Sequence, residues 1–516
     1  MSSQTLTGAH SAPVVTRTTW AAFAVLILGI SMALLDTTIV NVALPTIRTS
    51  LSADEATLSW IISGYALAYG LVLIPAGRVG DRIGHKWVFI VGLAGFTLAS
   101  LAAGLSQNSE TLIIARVVQG LFGGIFFPPV TALIQLMFPP QVRGRAFAIF
   151  GGALGFSSAL GPLVGGVLIQ WLGDTDGWRS IFFVNLPFGV IAVVAAFLLL
   201  PSGAEATAKS GLDFFGFLLL AGGLVAILIP LIQGQEDGWP LWTYLSIAGG
   251  LVLIAAFAVW ELSVARRGKE PLVPPHLFSH PSFAGGVILA LVYFAAFTSI
   301  FFTISLLWQS GLGHSALESG LVAIPFAIGS IVGSSQSNRL SQRLGRTVLI
   351  LGTGLVAVGL ISLWLILLRV KPEDLTNWDL LASLLVAGIG SGLFIAPNSQ
   401  FIVATVDRAE AGAASGVLGT MQRVGAAVGI AVIGSVLFGN LPGSFAPTAA
   451  QAQAAAQAHG AEGAAAIKAA LQKIVDHNLA VGFGHSATLA MAVSAIFAIA
   501  AFCLVFMLPK RLPRGY

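Results

Sequence analysis

Charge is what this chain has least of. Only 9% of its 516 residues are Asp, Glu, Lys or Arg, where soluble domains carry about 25%. The deficit runs along the whole length and excludes a water-soluble globular protein. With 56% hydrophobic residues and a mean hydropathy of +0.91, the composition is that of a polytopic membrane protein. Cysteine is nearly absent: Cys503 stands alone, which rules out an intrachain disulfide and a Cys-based metal site. No HExxH motif occurs, and His314, His459, His477 and His485 fall in or beside loops. Paired acids or a Ser/His set at membrane depth are missing too, which argues against a membrane-embedded enzyme. A sensor or structural subunit would need a soluble output domain, and none is present. The formal charge of +4 and pI of 9.4 do not point to nucleic acid, because the basic residues gather on one side of the apolar segments.

What is present is a succession of apolar runs. A helix needs about 20 apolar residues to cross a bilayer. Fourteen segments qualify: 20–40, 58–76, 87–105, 112–136, 146–171, 181–200, 214–232, 241–260, 283–308, 320–337, 347–368, 380–397, 412–438 and 486–508. The first nineteen residues are polar, and the run from Trp20 lacks a small-residue cleavage site, so it reads as a retained helix rather than a signal peptide. Seventeen Lys and Arg fall in loops on one side and six on the other. The positive-inside rule then puts both termini in the cytoplasm and requires an even helix count.

Internal repetition organises these segments. The hairpin from Gly77 to Lys86 recurs in weaker form at Arg339 to Arg346. Gly84 and Gly345 lie 261 residues apart, and the pairs Gly124/Gly392 and Gly144/Gly412 lie 268 apart. Duplicated helical bundles are typical of secondary transporters. The surplus between the copies is two extra helices. The expected organisation is a tail 1–19, a six-helix bundle 20–200, a linker with two extra helices 201–281, a second six-helix bundle 282–508 and a tail 509–516. Loop 440–483 is rich in Ala and Gln, a composition that favours helix. A spacer between the last two helices is its simpler reading, and a docking site for a periplasmic adaptor the other.

Four motifs carry a family resemblance. Gly77-x-x-x-Asp81-Arg82-x-Gly84-x-Lys86 resembles the signature loop of the major facilitator superfamily. Residues 112–120 look like its fourth-helix motif, with Arg116 and Gln119. Gly161-Pro162-Leu163-Val164-Gly165-Gly166 looks like its fifth-helix antiporter motif. Residues 35–45, beginning Leu35-Asp36-Thr37-Thr38, resemble the first-helix motif of the fourteen-helix drug–proton antiporter branch (EmrB/QacA-like). The resemblance implies an all-α major facilitator fold, fourteen transmembrane helices arranged six plus two plus six about a pseudo-twofold, in the inner (plasma) membrane. It implies a proton-coupled exporter of hydrophobic or cationic drugs working by alternating access. A proton gradient would be the energy source and no cofactor is expected. Export of one specific metabolite, natural product or lipid is the alternative.

Particular residues fit these roles. Asp36 is the only acidic residue deep in a predicted helix. Intramembrane carboxyls are functional by default, and burial disfavours their charged form, so Asp36 is the expected proton carrier. The repeat places Phe297 opposite it, which confines the acidic function to the first half. Arg116 is a permanent cation. The resemblance puts it near the proton site, acting on Asp36 directly or through water and Gln119; snorkelling is the other reading. In the hairpin, Asp81 is expected to cap or pair at a helix end, while Arg82 and Lys86 face the anionic inner leaflet. The resemblance makes this an inside gate, asymmetric because Gln342 replaces Asp81 in the second copy. His85 would soften the loop's charge. Glu261 reads as an interfacial residue. Cavity candidates are Tyr65, Tyr69, Phe126, Phe127, Phe156, Tyr293, Trp308, Asn398, Gln422 and Arg423. Aromatic walls of this kind suit amphipathic cations. Pro128-Pro129, echoed by Pro397, mark kinks at matched positions.

Overall fold

The computed structural model describes residues 15–53, 55–173, 177–201, 213–234, 237–403, 406–407, 410–442, 444–459 and 464–509. Among these residues there is no strand. Apolar sequence leaves the backbone no water to bond, so every spanning segment closes its own i to i−4 ladder as helix. The first six spans are α1 (Arg17–Leu51), α2 (Glu55–Ile83), α3 (His85–Gly104), α4 (Ser109–Met137), α5 (Pro140–Leu172) and the pair α6 (Ser180–Phe183) and α7 (Asn185–Leu199). The two accessory helices are α8 (Phe214–Gln233) and α9 (Leu241–Arg266). The second set is α10 (Pro281–Leu306), the broken pair α11 (Ala316–Val322) and α12 (Ile324–Leu344), α13 (Thr347–Arg369), α14 (Asn377–Val403), α15 (Ala411–Gly439) and, after the short α16 (Ala449–His459), α17 (Ala464–Leu504).

Among the described residues thirteen helices are long and apolar enough to cross a membrane, and α5 makes fourteen once its 42° bend is counted as one span. The bend falls before Pro162, which has no N–H for the carbonyl four residues back and crowds it. Lys209, Arg408, Lys510, Arg511 and Arg514, used in the charge asymmetry, lie outside the described residues.

Helix pairing repeats between the halves. In the first, α2 and α3 pack on α4, α1 on α5, and α1 and α3 on α7; in the second, α12 and α13 pack on α14, α10 on α15, and α10 and α13 on α17. The repeated glycines explain the match. A Cβ on Gly124 would stand 2.3 Å from the Tyr69 carbonyl, and one on Gly392 2.2 Å from that of Ser330. Both let α4 and α14 close on their neighbours. Gly84 (φ +97°) and Gly345 (φ +55°) turn the two hairpins in backbone regions that glycine tolerates. Just past them, Lys86 Nζ donates to the Phe197 and Leu200 carbonyls, and Arg346 Nη1 to those of Phe506 and Leu508. Each cation thus caps the last span of its own half, where orphan carbonyls and the helix dipole favour it. Lys86 is buried at 8% exposure, which corrects the expectation that it faces the lipid leaflet.

The halves meet where α2 and α4 touch α15, and where α5 touches α11, α12 and α14. The α8–α9 pair leans on α2 and α15 through α8. Glu261 is buried and accepts from Val273 N at 2.7 Å, while Asp213 caps α8 and accepts from Trp260 Nε1 at 2.6 Å. Glu261 is therefore a fastening for the α9–α10 connection rather than an interfacial residue. Loop 440–483 is also mostly helix. Residue 464 already lies in α17, a 41-residue helix of about 60 Å, roughly twice the hydrocarbon thickness. Alanine-rich sequence explains why the helix starts well before the apolar run.

Candidate functional site

A buried polar cluster is built around Asp36 of α1 by α2, α3, α4 and the α6–α7 junction. Its carboxylate is fully buried, and so is Arg116 at 1% exposure. Arg116 Nη1 donates to Asp36 Oδ2 at 2.5 Å and to Gln119 Oε1 at 2.7 Å. Gln119 Nε2 donates in turn to Asp36 Oδ1 at 2.9 Å. Arg116 and Gln119 sit three residues apart on α4, so both face α1. Arg116 Nε also donates to the Ile61 carbonyl at 3.2 Å, and its guanidinium lies 4.1 Å from the Tyr65 ring centre. Snorkelling is thereby excluded for this arrangement. Sequence reading missed the fourth contributor. Asn185 Nδ2, at the α6–α7 junction, donates to Asp36 Oδ1 at 3.0 Å and to Ser100 Oγ on α3 at 3.1 Å. Its signal was a buried amide in an otherwise apolar run. Protonating Asp36 would remove the counter-charge of Arg116. The guanidinium would still keep the Gln119 and Ile61 oxygens and the Tyr65 face, so the cation is not stranded.

A second cluster joins the halves at the hairpin end. The Asp81 carboxylate, 2% exposed, accepts from Gly412 N at 3.0 Å and Ala413 N at 3.2 Å. These are first-turn amides of α15, where a carboxylate also gains from the helix dipole. Close approach is obligatory: a Cβ on Gly77 would stand 2.1 Å from the Gly412 carbonyl. His85 is buried beside Asp81, Nε2 to Oδ1 3.3 Å, not an open loop charge. Arg78 reaches sideways to the Pro271 carbonyl at 2.6 Å, and Arg82 remains partly exposed. At the pseudo-equivalent corner, a Cβ on Gly144 would meet Asn338 Oδ1, and Gln400 Nε2 donates to the Gly144 carbonyl at 3.3 Å. Amides there replace the acid. Within a turn of the Gly412 and Ala413 amides, Thr131 Oγ1 of α4 donates to Ser415 Oγ of α15 at 2.5 Å.

The glycines of α5 connect the two halves with the acid. A Cβ on Gly161 would stand 1.9 Å from Thr38 Oγ1, and one on Gly165 2.8 Å from Ile39 Cγ1. Thr38 and Ile39 follow Asp36 within one turn of α1. On the other side, a Cβ on Gly166 would stand 3.2 Å from Leu317, and one on Gly320 would stand 3.1 Å from Pro162. The motif is thus wedged between the acid-bearing helix and α11 of the opposite half.

A family model described as Major Facilitator Superfamily matches residues 26–430. The chain belongs to that superfamily. It is therefore a multi-pass membrane protein of a transporter family, not an enzyme family. It is 37% identical over 423 residues to the probable actinorhodin transporter of Streptomyces coelicolor, covering 82% of this chain and 73% of that one. It is 34% identical to the tetracenomycin C resistance and export protein of Streptomyces glaucescens, covering 81% and 76%. In fold it is similar to the proton:xylose symporter XylE, with a TM-score of 0.59 at 13% identity over 94% of this chain and 96% of that one.

Within this superfamily member the remaining candidates divide by position. Tyr65 and Tyr69 stand on α2 with ring centres 5.9 Å apart, and Phe127 lies 6.0 Å from Tyr69. Arg423 reaches from α15 across to the Tyr69 ring, 3.9 Å from its centre. Gln422 is half-buried and Phe156 exposed at 41%. Four others serve packing inside one half instead of lining the interface. Phe126 is buried against Phe89 and Phe96 of α3. Trp308 is buried with its Nε1 donating to Asn377 Oδ1 at 2.8 Å. Asn398 Nδ2 donates to the Gly286 carbonyl at 3.2 Å, bracing α14 on α10. Tyr293 stacks on Phe394 at 4.0 Å, also within the second half. These side chains satisfied the composition expected of a cavity, but their neighbours are their own bundle.

Proposed function

We propose that this chain is a proton-coupled antiporter of the inner (plasma) membrane, with both termini cytoplasmic, that exports hydrophobic organic compounds by alternating access. Asp36 is the proton carrier, and Asp81 with the α15 N-terminus is the cytoplasmic gate. The observation that carries the reading is the α5 wedge. Its glycines contact α1 beside Asp36 on one face and α11 of the opposite half on the other. A proton arriving at Asp36 separates it from Arg116, changes how α1 seats on α5, and so biases the packing of the two halves. That is a population shift between faces driven by differential proton affinity. The inner ends are packed together here, so this arrangement is the one closed toward the cytoplasm. The names of the two Streptomyces relatives favour a natural product as cargo. A periplasmic adaptor would find the protruding α16–α17 segment accessible.

The test is Asp36→Asn in proteoliposomes. The variant keeps the Gln119 and Asn185 contacts and is expected to insert and fold. Export driven by a pH gradient is expected to vanish, while exchange of cargo for cargo without a gradient persists. Full gradient-driven export by Asp36→Asn would remove this acid as the carrier.

A further inference from the structure

The mechanism above uses one of two arginines that lie deep within the spans. The other, Arg423, sits at the middle of α15 and is half-buried. Among the described residues no carboxylate lies within 4 Å of it. The one acid at comparable depth, Asp36, is already matched by Arg116. The α2–α15 contact between the halves therefore carries a surplus positive charge. A cation at membrane depth persists where it has a partner or lines a polar pathway.

The tyrosines sharpen the point. An organic cation would stack on a free aromatic face. Here the Tyr65 ring carries the Arg116 guanidinium at 4.1 Å, and the Tyr69 ring carries that of Arg423 at 3.9 Å. Both platforms hold the protein's own cations. A guanidinium stacked on a ring still presents its N–H fork in its own plane, the geometry that receives a carboxylate or phenolate. Tyr69 Oη is buried beside this same guanidinium.

We propose that Arg423 reads the charge of the cargo, and that the preferred cargo is an aromatic acid whose anionic oxygen docks on the guanidinium that here stacks on Tyr69. This deepens the exporter reading and rests on it. An anion moving outward also runs with an inside-negative membrane potential. Coupling to the proton then runs through the Arg116–Tyr65–Tyr69–Arg423 stack and the packing of the halves, not through two ligands of like charge competing for one carboxylate.

The experiment uses the full-length chain in proteoliposomes with a matched pair of probes, anthraquinone-2-carboxylate and anthraquinone-2-carboxamide. Wild type is expected to export the acid about tenfold faster than the amide, the size of one charge-assisted hydrogen bond. Arg423→Gln is expected to collapse that ratio to about one, and Arg423→Lys to restore part of it. Equal export of both probes by wild type, or an equal fall for both in Arg423→Gln, would overturn the assignment. The exporter reading has its own control. Export of the amide that disappears in Asp36→Asn, without any preference for the acid, sinks the charge-reading role and leaves the exporter standing. Absence of gradient-driven export of either probe counts against both.

Discussion

Asp36 shows how much a single residue says and where it stops. Its position in an apolar helix marked it from the sequence, and Arg116 and Gln119 were marked with it. Their mutual distances were not legible, because Asp36 and Arg116 are 80 residues apart and nothing in the spacing aligns α1 with α4. Asn185 escaped altogether. Its amide stands out in an apolar run, but only the break between α6 and α7 turns it onto Asp36. A testable consequence follows at this scale. Asn185→Leu removes one donor to a buried carboxylate, a loss of about 1–3 kcal/mol. Gradient-driven export should fall about tenfold or more, while cargo-for-cargo exchange stays near wild type. A purely structural role for Asn185 would lower both together.

At the scale of elements, the α5 helix is where packing and function coincide. Its small residues were legible as a close-packing face, but not the identity of the two helices it separates. Thr38 leaves no room opposite Gly161. Gly161→Ala must push α1 away from α5, and overpacking of this kind costs about 1–3 kcal/mol. The melting temperature of the purified protein should drop by several degrees. Adding Thr38→Ala removes the clashing hydroxyl oxygen and should recover part of the loss, a coupling that a double-mutant cycle measures. Additive effects would show that the two side chains do not meet. The capping of α7 by Lys86 and of α17 by Arg346 belongs to this scale as well. The repeated hairpin suggested a shared loop. The structure shows shared work, since each basic side chain closes the far end of its own bundle.

For the whole molecule, the halves are held at the hairpin end by Asp81 on one corner and by Gln400 on the other, where Asn338 packs against Gly144. The asymmetry expected from Gln342 is present, although Gln342 itself bonds Asn338 at 3.4 Å and not the opposite half. Asp81→Asn keeps the shape and removes the charge that the α15 amides hold. A loss of about 1 kcal/mol at a helix N-terminus shifts the balance of closed and open inner ends several-fold. Spin labels on Ile83 and Leu344, both exposed at the ends of α2 and α12, should report a larger long-distance population by pulsed electron resonance. An unchanged distance distribution would show that the gate does not depend on this acid.

Composition determined that the chain lies in a membrane, the succession of apolar runs that it crosses about fourteen times, and the repeated hairpin and glycines that it was duplicated, because a hydrocarbon solvent dictates segment length and forbids stray charge. It also exposed the acid and the arginines, since each is costly where it stands. Which charge meets which was decided only by the tertiary structure. Helical spacing sets the faces within one helix, but the crossing of separate helices places Asn185 on Asp36, Lys86 on α7 and Arg423 on Tyr69. Contacts between segments far apart in the chain are products of packing, and no local pattern encodes them.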